Sequence, residues 1–523
     1  MKNILLGFIL LLSSYSSFGA AEEPLYKKVK TTQNNAIEDK CSICYEKTTN
    51  LTLSCKHSFC KECIFKWFEE NPSCPACRSD QNIFYKVQLL SSDNHDVQQN
   101  AVGAIADLAY NNQGNQNNLR EAGVVSQLVP LLESENIVTK QYAVGAIANL
   151  VHGNRDNKNL IREAGAIPKF VILLESGDPT VTKNAATALS CLAQNNQENQ
   201  NAIREFGVMR PLVALLGSDD VVTKQLATGA IANIVHGNSD NKNLIREFGV
   251  IPQFVILLES EDIIVKKNAA AALSCLANDN LENQNAIIKA GAVSQLLPLL
   301  GSEDVVTKQL ATGALGCLAS CQVNQNVIRE AGAITHLVPL LGSDDIETKR
   351  YVAETLGILA INNKKNQNAI RKAGAVPQLV HLLGSDDSTT KKFATGSLSL
   401  LANYNQENQN AIREAGAITH LVPLLGSGDV VTKKLAILAL TSLAYNNPDN
   451  QNLTRESGTL PHLVAIVGSH SIVTTQFLGI ASLNLAHENT AIKKEIIATI
   501  NSIEGLKEKI QEESLVFYNA LFN

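Results

Sequence analysis

The phrase NQNAIREAGAITHLVPLL, residues 408–425, recurs with small changes along most of the chain. Its glycine falls at positions 123, 165, 207, 249, 291, 332, 374, 416 and 458, so successive copies lie 42 residues apart, except for 41 between Gly291 and Gly332. A fixed period of about 40 residues is typical of helical solenoids, in which each unit packs on its neighbours. The sequence therefore predicts a mainly α fold built as a solenoid.

Each unit is predicted to contain three helices. The first covers NQNAIRE and ends at the glycine, which can adopt the left-handed conformation that stops a helix. The second covers AITHLVPLL, and a turn such as GSDD caps the third, for example VVTKQLATGALGCLA at 305–319. Apolar residues three and four positions apart give each helix a stripe to bury. Ten third helices can be counted, from 97–109 to 474–486.

The composition fits stacked helices and argues against a nucleic-acid-binding protein. Hydrophobic residues make up 45% of the chain and aromatic residues only 5%, so Ala, Leu, Ile and Val must fill the core. The formal net charge of -6 gives no overall basic surface for nucleic acid.

The N-terminus is predicted to be a secretory signal peptide over residues 1–21, followed by a polar linker over 22–38. Lys2 supplies the positive start, Ile4–Leu12 the apolar stretch, and Gly19, Ala20 and Ala21 a cleavage site. The alternative is an uncleaved membrane anchor, but the apolar stretch is shorter than the roughly 20 residues that span a bilayer. No later segment is apolar enough, so no stable membrane span is predicted.

A second dense motif, CSICYEKTTNLTLSCKHSFCKECIFKWFEENPSCPACR at Cys41–Arg78, contains seven of the 11 cysteines. Its spacing is C-x2-C-x10-C-x-H-x2-C-x2-C-x10-C-x2-C, which supplies eight ligands for two tetrahedral zinc sites. A disulfide framework is the alternative in an exported protein, but seven is an odd number and His57 has no role there. The sequence therefore predicts two closed, structural zinc ions. The predicted ligands are Cys41, Cys44, Cys55, His57, Cys60, Cys63, Cys74 and Cys77.

This motif resembles a RING finger, the zinc module of many ubiquitin ligases, with a short β hairpin and a helix. The module is placed at residues 39–80. The resemblance implies an interleaved arrangement, which the spacing alone leaves open. It assigns one zinc to Cys41, Cys44, Cys60 and Cys63, and the other to Cys55, His57, Cys74 and Cys77.

The same resemblance points to a surface for a ubiquitin-conjugating enzyme. Ile43 precedes the second cysteine, Trp67 lies four residues after the sixth ligand, and Pro75 follows the seventh, as in active family members. Arg78 follows the last cysteine and could bond conjugating enzyme and ubiquitin together, which gives it the catalytic role. The alternative is that Ile43 and Trp67 are only the small core of the module.

The repeats resemble armadillo repeats over residues 82–490, followed by a helical cap over 491–523. The resemblance implies a right-handed superhelical solenoid whose third helices line a groove that binds a protein segment. The family's Asn position is only partly filled, by Asn149, Asn233 and Asn484, and its Trp position is mostly Gly, so a cargo carrier resembling import receptors is disfavoured. A row of long donors one turn earlier suits an acidic or carbonyl-rich partner, although the same residues could be solvated helix starts. The charged groove candidates in that row are Lys183, Lys267, Arg350, Lys392 and Lys434.

Taken together, these features predict a RING-type ubiquitin-protein ligase with no nucleophile of its own. The zinc module would recruit a conjugating enzyme carrying ubiquitin, and the armadillo groove would select a protein substrate. The signal peptide suggests export from a bacterium into the cytosol of a eukaryotic host, because thiolate-bound zinc and ubiquitin both belong to a reducing compartment. The rival hypothesis is a non-enzymatic adaptor in which the zinc module and the solenoid are two binding surfaces.

Overall fold

The computed structural model describes residues 41–45, 49–53, 55–459, 490–502, 507 and 511. The predicted signal peptide and linker, the tenth third helix and most of the C-terminal cap lie outside these residues. The chain divides into two compact units, one running to Ile105 with residues 118–124 added, the other containing residues 106–117 and everything from Val125 onward. No helix in the described ranges combines the length and the apolarity needed to cross a bilayer.

The zinc module has the predicted hairpin and helix. Strands β1 (Leu51–Thr52) and β2 (Ser58–Phe59) pair antiparallel, with Leu51 opposite Phe59. Helix α1 (Lys61–Phe68) starts directly after Cys60. The buried core of the module is small and consists of Cys41, Leu53, Phe59, Cys60, Ile64, Phe68 and Cys74. So few apolar residues leave metal binding to supply much of the folding free energy.

Helix α2 (Asn82–Leu89) adds an aromatic contact to this core. Phe84 and Tyr85 pack against the buried cluster. The Tyr85 ring lies 5.1 Å from that of Phe68 and 5.8 Å from that of Phe65. Residues beyond the zinc-binding motif therefore help to hold helix α1, a contribution that ligand spacing does not reveal.

The solenoid consists of first, second and third helices in the predicted order. The first helices are α4 (Gln113–Glu121), α7 (Arg155–Glu163), α10 (Gln197–Glu205), α13 (Ser239–Glu247), α16 (Leu281–Lys289), α19 (Gln322–Glu330), α22 (Lys364–Lys372), α25 (Gln406–Glu414) and α28 (Pro448–Glu456). The second helices are α5 (Val124–Leu131), α8 (Ala166–Leu174), α11 (Met209–Leu215), α14 (Ile251–Leu257), α17 (Ala292–Leu296), α20 (Ala333–Leu337), α23 (Ala375–Leu382) and α26 (Ala417–Leu424). Short 3-10 turns, Pro298–Gly301 and Val338–Gly342, follow α17 and α20.

The third helices are α3 (His95–Ala109), α6 (Ile137–Val151), α9 (Pro179–Ala193), α12 (Val221–Val235), α15 (Ile263–Ala277), α18 (Val305–Ala319), α21 (Ile346–Ala360), α24 (Ser388–Ala402) and α27 (Val430–Ala444). From α6 to α27 each packs along the next one. Their buried faces carry small and branched residues such as Ala188, Leu189 and Leu192, which allow close helix packing. The final described helix is α29 (Thr490–Asn501).

Local caps explain why the helices begin and end where they do. In the GSDD turn before α12, the Asp220 side chain accepts from the Thr223 backbone N–H at 2.8 Å. Each first helix runs to a glycine with positive φ, for example Gly416 at 81°, a conformation that costs other residues more. Asn238 caps α13 by accepting from the Asn241 backbone N–H at 3.1 Å.

Buried amide side chains join successive first helices, and we call these contacts the first-helix ladder. At the junction of α10 and α13, Asn241 Nδ2 donates to Ile234 O at 3.0 Å and to Gln200 O at 3.2 Å. Asn238 Nδ2 donates to Asn201 Oδ1 at 2.9 Å, and Gln200 Nε2 donates forward to the Asn233 carbonyl at 2.9 Å. The recurring NQN phrase therefore encodes the contact between units as well as a helix start.

Candidate RING-type zinc centre and armadillo surface

The two predicted ligand sets come together as two separate clusters. The ligand atoms of Cys41, Cys44, Cys60 and Cys63 lie within 4.8 Å of one another. Those of Cys55, His57, Cys74 and Cys77 form the second cluster within the same limit. The chain therefore interleaves its ligands, as the resemblance implied.

The spacing within the clusters fits zinc. Cys44 Sγ lies 3.9 Å from Cys60 Sγ. In the second cluster, His57 Nδ1 lies 3.4 Å from Cys55 Sγ and 3.7 Å from Cys74 Sγ. A tetrahedron with Zn–S bonds of about 2.3 Å and a Zn–N bond of about 2.0 Å places its ligand atoms roughly 3.5–3.8 Å apart. The residues thus fit two zinc ions, and His57 would bind its ion through Nδ1.

The protein surroundings lower the pKa of Cys41, Cys55 and Cys77, toward the thiolate form that zinc requires, and raise the pKa of Cys63 and Cys74. Burial of Cys41 opposes ionisation, but backbone N–H groups of Cys60, Cys44 and Ile43 direct hydrogen bonds at the sulfur, and the net effect lowers the pKa of Cys41 to about 6. The Ser79 hydroxyl lies 3.2 Å from Cys77 Sγ and helps to lower the pKa of that thiol. Ser79 is a second-sphere contact that ligand spacing does not identify.

The four predicted docking residues all lie at or near the surface of the module. Trp67 is 39% exposed, and its indole Nε1 donates to the Ser73 carbonyl at 2.8 Å, which fixes the ring beside the loop that carries Pro75. Ile43 is half-buried against the core cluster, and Pro75 is half-buried as well. Trp67 therefore lies outside the buried core of the module.

Arg78 is exposed and has an uncommon backbone conformation. Its φ is 57°, and its N–H donates to the Cys74 carbonyl at 2.7 Å, closing the turn that carries the last two ligands. This turn ties the position of the arginine to the second metal cluster. The role of Arg78 in catalysis stays a prediction.

The predicted donor row of the groove contacts the neighbouring units. Lys183 Nζ lies 3.0 Å from the Asp220 carboxylate, and Lys267 Nζ lies 3.3 Å from that of Asp304. Gln225 at the equivalent position likewise donates to Asp262, at 2.9 Å. Each of these acids caps the following third helix, so the row connects consecutive units.

Two more charged members of the row, Lys392 and Arg350, follow the same rule. Lys392 Nζ lies 3.3 Å from Asp429, and Arg350 donates to Asp387 through Nε at 3.0 Å and Nη2 at 2.6 Å. The Arg350 guanidinium is the main cause of a strongly lowered pKa of the Asp387 carboxyl. These pairs neutralise much of the positive charge that the sequence displays.

The asparagines of the groove also bond between units. Asn149 Nδ2 donates to the Ala106 carbonyl at 3.0 Å, and Asn233 Nδ2 donates to the Ser190 hydroxyl at 2.9 Å. In α27, Ser442 holds this position and Lys434 holds the donor-row position. Asn484 lies outside the described residues. Binding of a substrate by these residues remains a prediction.

Three cysteines on the third helices are free thiols, Cys191, Cys275 and Cys317. Burial raises the pKa of Cys275 to about 11, and burial also raises the pKa of the other two. His236 Nδ1 lies 3.4 Å from Cys275 Sγ. Protonated, half-buried thiols agree with the small packing role expected for them.

Glu354 of α21 is not among the groove residues predicted from the sequence. It occupies the position held by Gly313 in α18 and Gly396 in α24. Burial raises the pKa of its carboxyl to about 7. No ion pair or hydrogen bond joins that carboxylate to any residue in the described part of the chain.

Comparison with known families agrees with both parts of the structure. The armadillo/beta-catenin-like repeat matches residues 112–152, 154–193, 196–236, 238–277, 280–320, 321–361, 363–402 and 405–445, more than half of the chain. The chain belongs to the armadillo-repeat family. The Ring finger domain matches residues 39–78. An engineered protein solved in a structural genomics programme superposes with a TM-score of 0.72 at 32% identity, covering 77% of this chain and 98% of its own.

Curated relatives match the zinc module. RING finger protein 141 of Gallus gallus is 51% identical over 41 residues, which is 8% of this chain and 18% of the relative. The E3 ubiquitin-protein ligase ICP0 of Equine herpesvirus 1 is 41% identical over 44 residues, 8% of each chain. The armadillo-repeat chain thus spans less than a fifth of the length of these relatives.

Proposed function

We propose that this armadillo-repeat protein is a RING-type ubiquitin-protein ligase that brings a charged ubiquitin-conjugating enzyme to a substrate held by the repeats. The observation that carries the proposal is the pair of four-ligand clusters with Trp67 exposed and fixed beside the loop of Pro75. Rigid apolar residues on a small metal-supported module suit the loops of a partner protein. The similarity to a viral E3 ubiquitin-protein ligase supports the same activity.

The zinc ions, once bound, supply structural rigidity. The chemistry assigned to the protein is positional: Ile43, Trp67 and Pro75 grip the conjugating enzyme, and Arg78 bonds the enzyme and its ubiquitin together. Restricting the thioester to a reactive posture accelerates attack by a substrate lysine without a nucleophile on the ligase. The module's cysteines are committed to metal, and the buried thiols of the third helices are held protonated.

A discharge assay tests this proposal. Wild-type protein is incubated with a panel of conjugating enzymes carrying ubiquitin, and loss of the thioester to free lysine is followed. Ile43→Ala is expected to abolish acceleration, whereas Arg78→Ala is expected to retain binding and lose discharge. Both variants should keep two zinc ions per chain, which separates a docking defect from unfolding.

The substrate is proposed to be an extended protein segment that offers a basic side chain to the groove. Asp220, Asp304, Asp387 and Asp429 neutralise the donor row, while Glu354 is half-buried and has no cationic partner among the described residues. A lysine or arginine of the substrate would supply that partner. Peptide selection on wild-type and Glu354→Gln protein should enrich basic residues on the wild type only. Enrichment of acidic peptides on both would reject this assignment.

The second candidate function is a non-enzymatic adaptor, supported by the eight armadillo repeats, which suit protein binding without ubiquitin transfer. The adaptor hypothesis predicts tight partner binding with no thioester discharge by any conjugating enzyme.

Export from a bacterium and action in the cytosol of a eukaryotic host remain part of the proposed function, supported by the apolar N-terminus alone. Fractionation of infected host cells tests it, and recovery only from the producer's own periplasm or medium would reject it.

A further inference from the structure

The first-helix ladder has a regular pattern along the described array. At seven of the eight junctions between described first helices, the capping Asn donates to an Asn of the preceding unit, with Nδ2–Oδ1 distances between 2.8 and 3.1 Å. An Arg of the preceding helix often adds an ion pair to the following one, such as Arg204–Asp240 at 3.2 Å and Arg246–Glu282 at 2.6 Å. These hydrogen bonds and ion pairs hold each first helix to the next one.

The eighth junction, between α16 and α19, lacks the ladder. Cys321 stands where the capping Asn should be, and α19 has no side-chain cap. Asn324 is 2% exposed, yet its Nδ2 has no hydrogen-bond partner. Gln284 donates only within its own unit, to Ala277 O at 2.9 Å. Within the fully described stretch 281–330, no polar side-chain bond joins α16 to α19.

Sequence changes at the same place account for this loss. Ile288 replaces the ladder Arg, and Val323 replaces the acid opposite it, so an apolar pair stands where other junctions have an ion pair. Val323 is 71% exposed. The one missing residue of the repeat also falls here, and the left-handed residue that follows other third helices, such as Asp279 or Asn362, has no counterpart. The shortened loop, the missing Asn cap and the missing ion-pair residues therefore coincide at one junction.

The junction is open on the first-helix side only. On the third-helix side, Gln309 Nε2 donates to Asp345 Oδ2 at 2.8 Å, and Thr355 Oγ1 donates to Thr312 O at 3.2 Å. Helices α18 and α21 pack along each other as the other neighbouring third helices do. The next junction is also latched, because Arg329 Nη1 donates to Asn366 Oδ1 at 2.8 Å. The two units are thus bonded through their third helices but not through the polar side chains of their first helices, which is the geometry of a hinge.

We propose that the junction of α16 and α19 is a joint at which the solenoid bends and opens locally. The units up to Ala319 and those from Gln322 onward then behave as two cooperative blocks, because neighbouring units of a solenoid are coupled only through their shared interface. Ile288 and Val323 can form no directional polar bond at the positions where other junctions have an ion pair, so the junction tolerates a change of angle that such bonds would resist. The buried Asn324 amide, whose Nδ2 has no hydrogen-bond partner, lowers the stability of this junction.

The joint would let the groove change its curvature around a bound protein segment. If the chain is a ligase, as proposed above, such motion would widen the set of substrate lysines that reach the conjugating enzyme. The joint itself does not depend on ligase activity, so the experiment below uses no ubiquitin and its outcome is independent of that proposal.

Hydrogen exchange of the full-length, zinc-loaded protein tests the joint. Amides of α16 and α19 should exchange at least about tenfold faster than those of α10 and α13, which have the same length and a complete ladder. Equal protection at the two junctions would overturn the proposal.

Reciprocal variants provide the matched control. Cys321→Asn combined with Ile288→Arg and Val323→Glu rebuilds the ladder contacts and should slow exchange in α16 and α19 by about tenfold or more. Asn238→Cys with Arg204→Ile and Asp240→Val copies the joint into the intact junction and should speed exchange in α10 and α13. If the rebuilt variant stays as unprotected as wild type while the copied one stays protected, the residues named here do not make a joint. Thermal unfolding of each variant checks that the fold is retained.

Discussion

Replacement of one ladder residue measures how strongly the buried amides hold the array together. Asn241 is fully buried; its Nδ2 donates to two carbonyls, and its Oδ1 accepts from Arg204 Nη1 at 3.1 Å. Asn241→Ala deletes these three bonds and strands the buried carbonyls of Ile234 and Gln200. At roughly 1 kcal/mol net for each bond, with an added penalty for stranded groups, the local interface should lose about 2–4 kcal/mol.

Asn324→Ala is the matched control because it removes the same side chain from the same helical position. Asn324 is nearly as buried, but its Nδ2 already has no partner. The loss there should be below about 1 kcal/mol. Urea unfolding followed by circular dichroism, together with exchange in the neighbouring helices, provides the comparison. Equal destabilisation by the two variants would refute the argument that hydrogen bonds, rather than side-chain volume, make the difference.

Three further predictions concern metal, pH and charge. Cys74→Ala should leave about one zinc ion per chain by metal analysis and loosen the zinc module, while far-UV helicity of the array changes little. Because the folded pKa of Glu354 is raised from 4.5 to about 7, wild type should lose up to about 3 kcal/mol relative to Glu354→Gln as pH rises from 4.5 to 7, and the gap should then level off; a constant gap in urea titrations at pH 4 and pH 8 would contradict this. Arg350→Ala should cost about 1 kcal/mol at neutral pH and less once Asp387 is protonated in acid or screened by salt, and thermal melts at several salt concentrations check the trend.

Much of the fold could be predicted from the 42-residue period, because units with nearly the same sequence adopt the same arrangement of three helices. The glycine stop, the Asp cap and the apolar stripe act locally, so the helices around Gly416 and Asp220 form where the sequence indicates. The zinc ligands could also be predicted from the sequence, because two cysteines separated by two residues can both bind one metal ion. Which ligands share one zinc ion could not be predicted from the spacing, because any two of the ligand pairs could do so until the path of the chain is known.

The parts that sequence could not supply depend on contacts between units. From the sequence, Lys183 and Arg350 were predicted to be groove donors. Their ion pairs with the capping aspartates of the next unit become apparent only when the helices are stacked in the structure. Phe84 and Tyr85 lie outside the zinc motif and reach its core only after the chain turns back. The absent ladder at Cys321 was visible as a shortened repeat, yet its meaning required the bonds made by every other junction.

The most direct test of the ligase account is single-turnover discharge of ubiquitin from a panel of conjugating enzymes, with zinc content measured on the same samples. The account predicts that wild type accelerates discharge by at least one enzyme about tenfold or more, and that Ile43→Ala loses this acceleration while retaining two zinc ions. Wild type inert toward every enzyme, or Ile43→Ala as active as wild type, would contradict it.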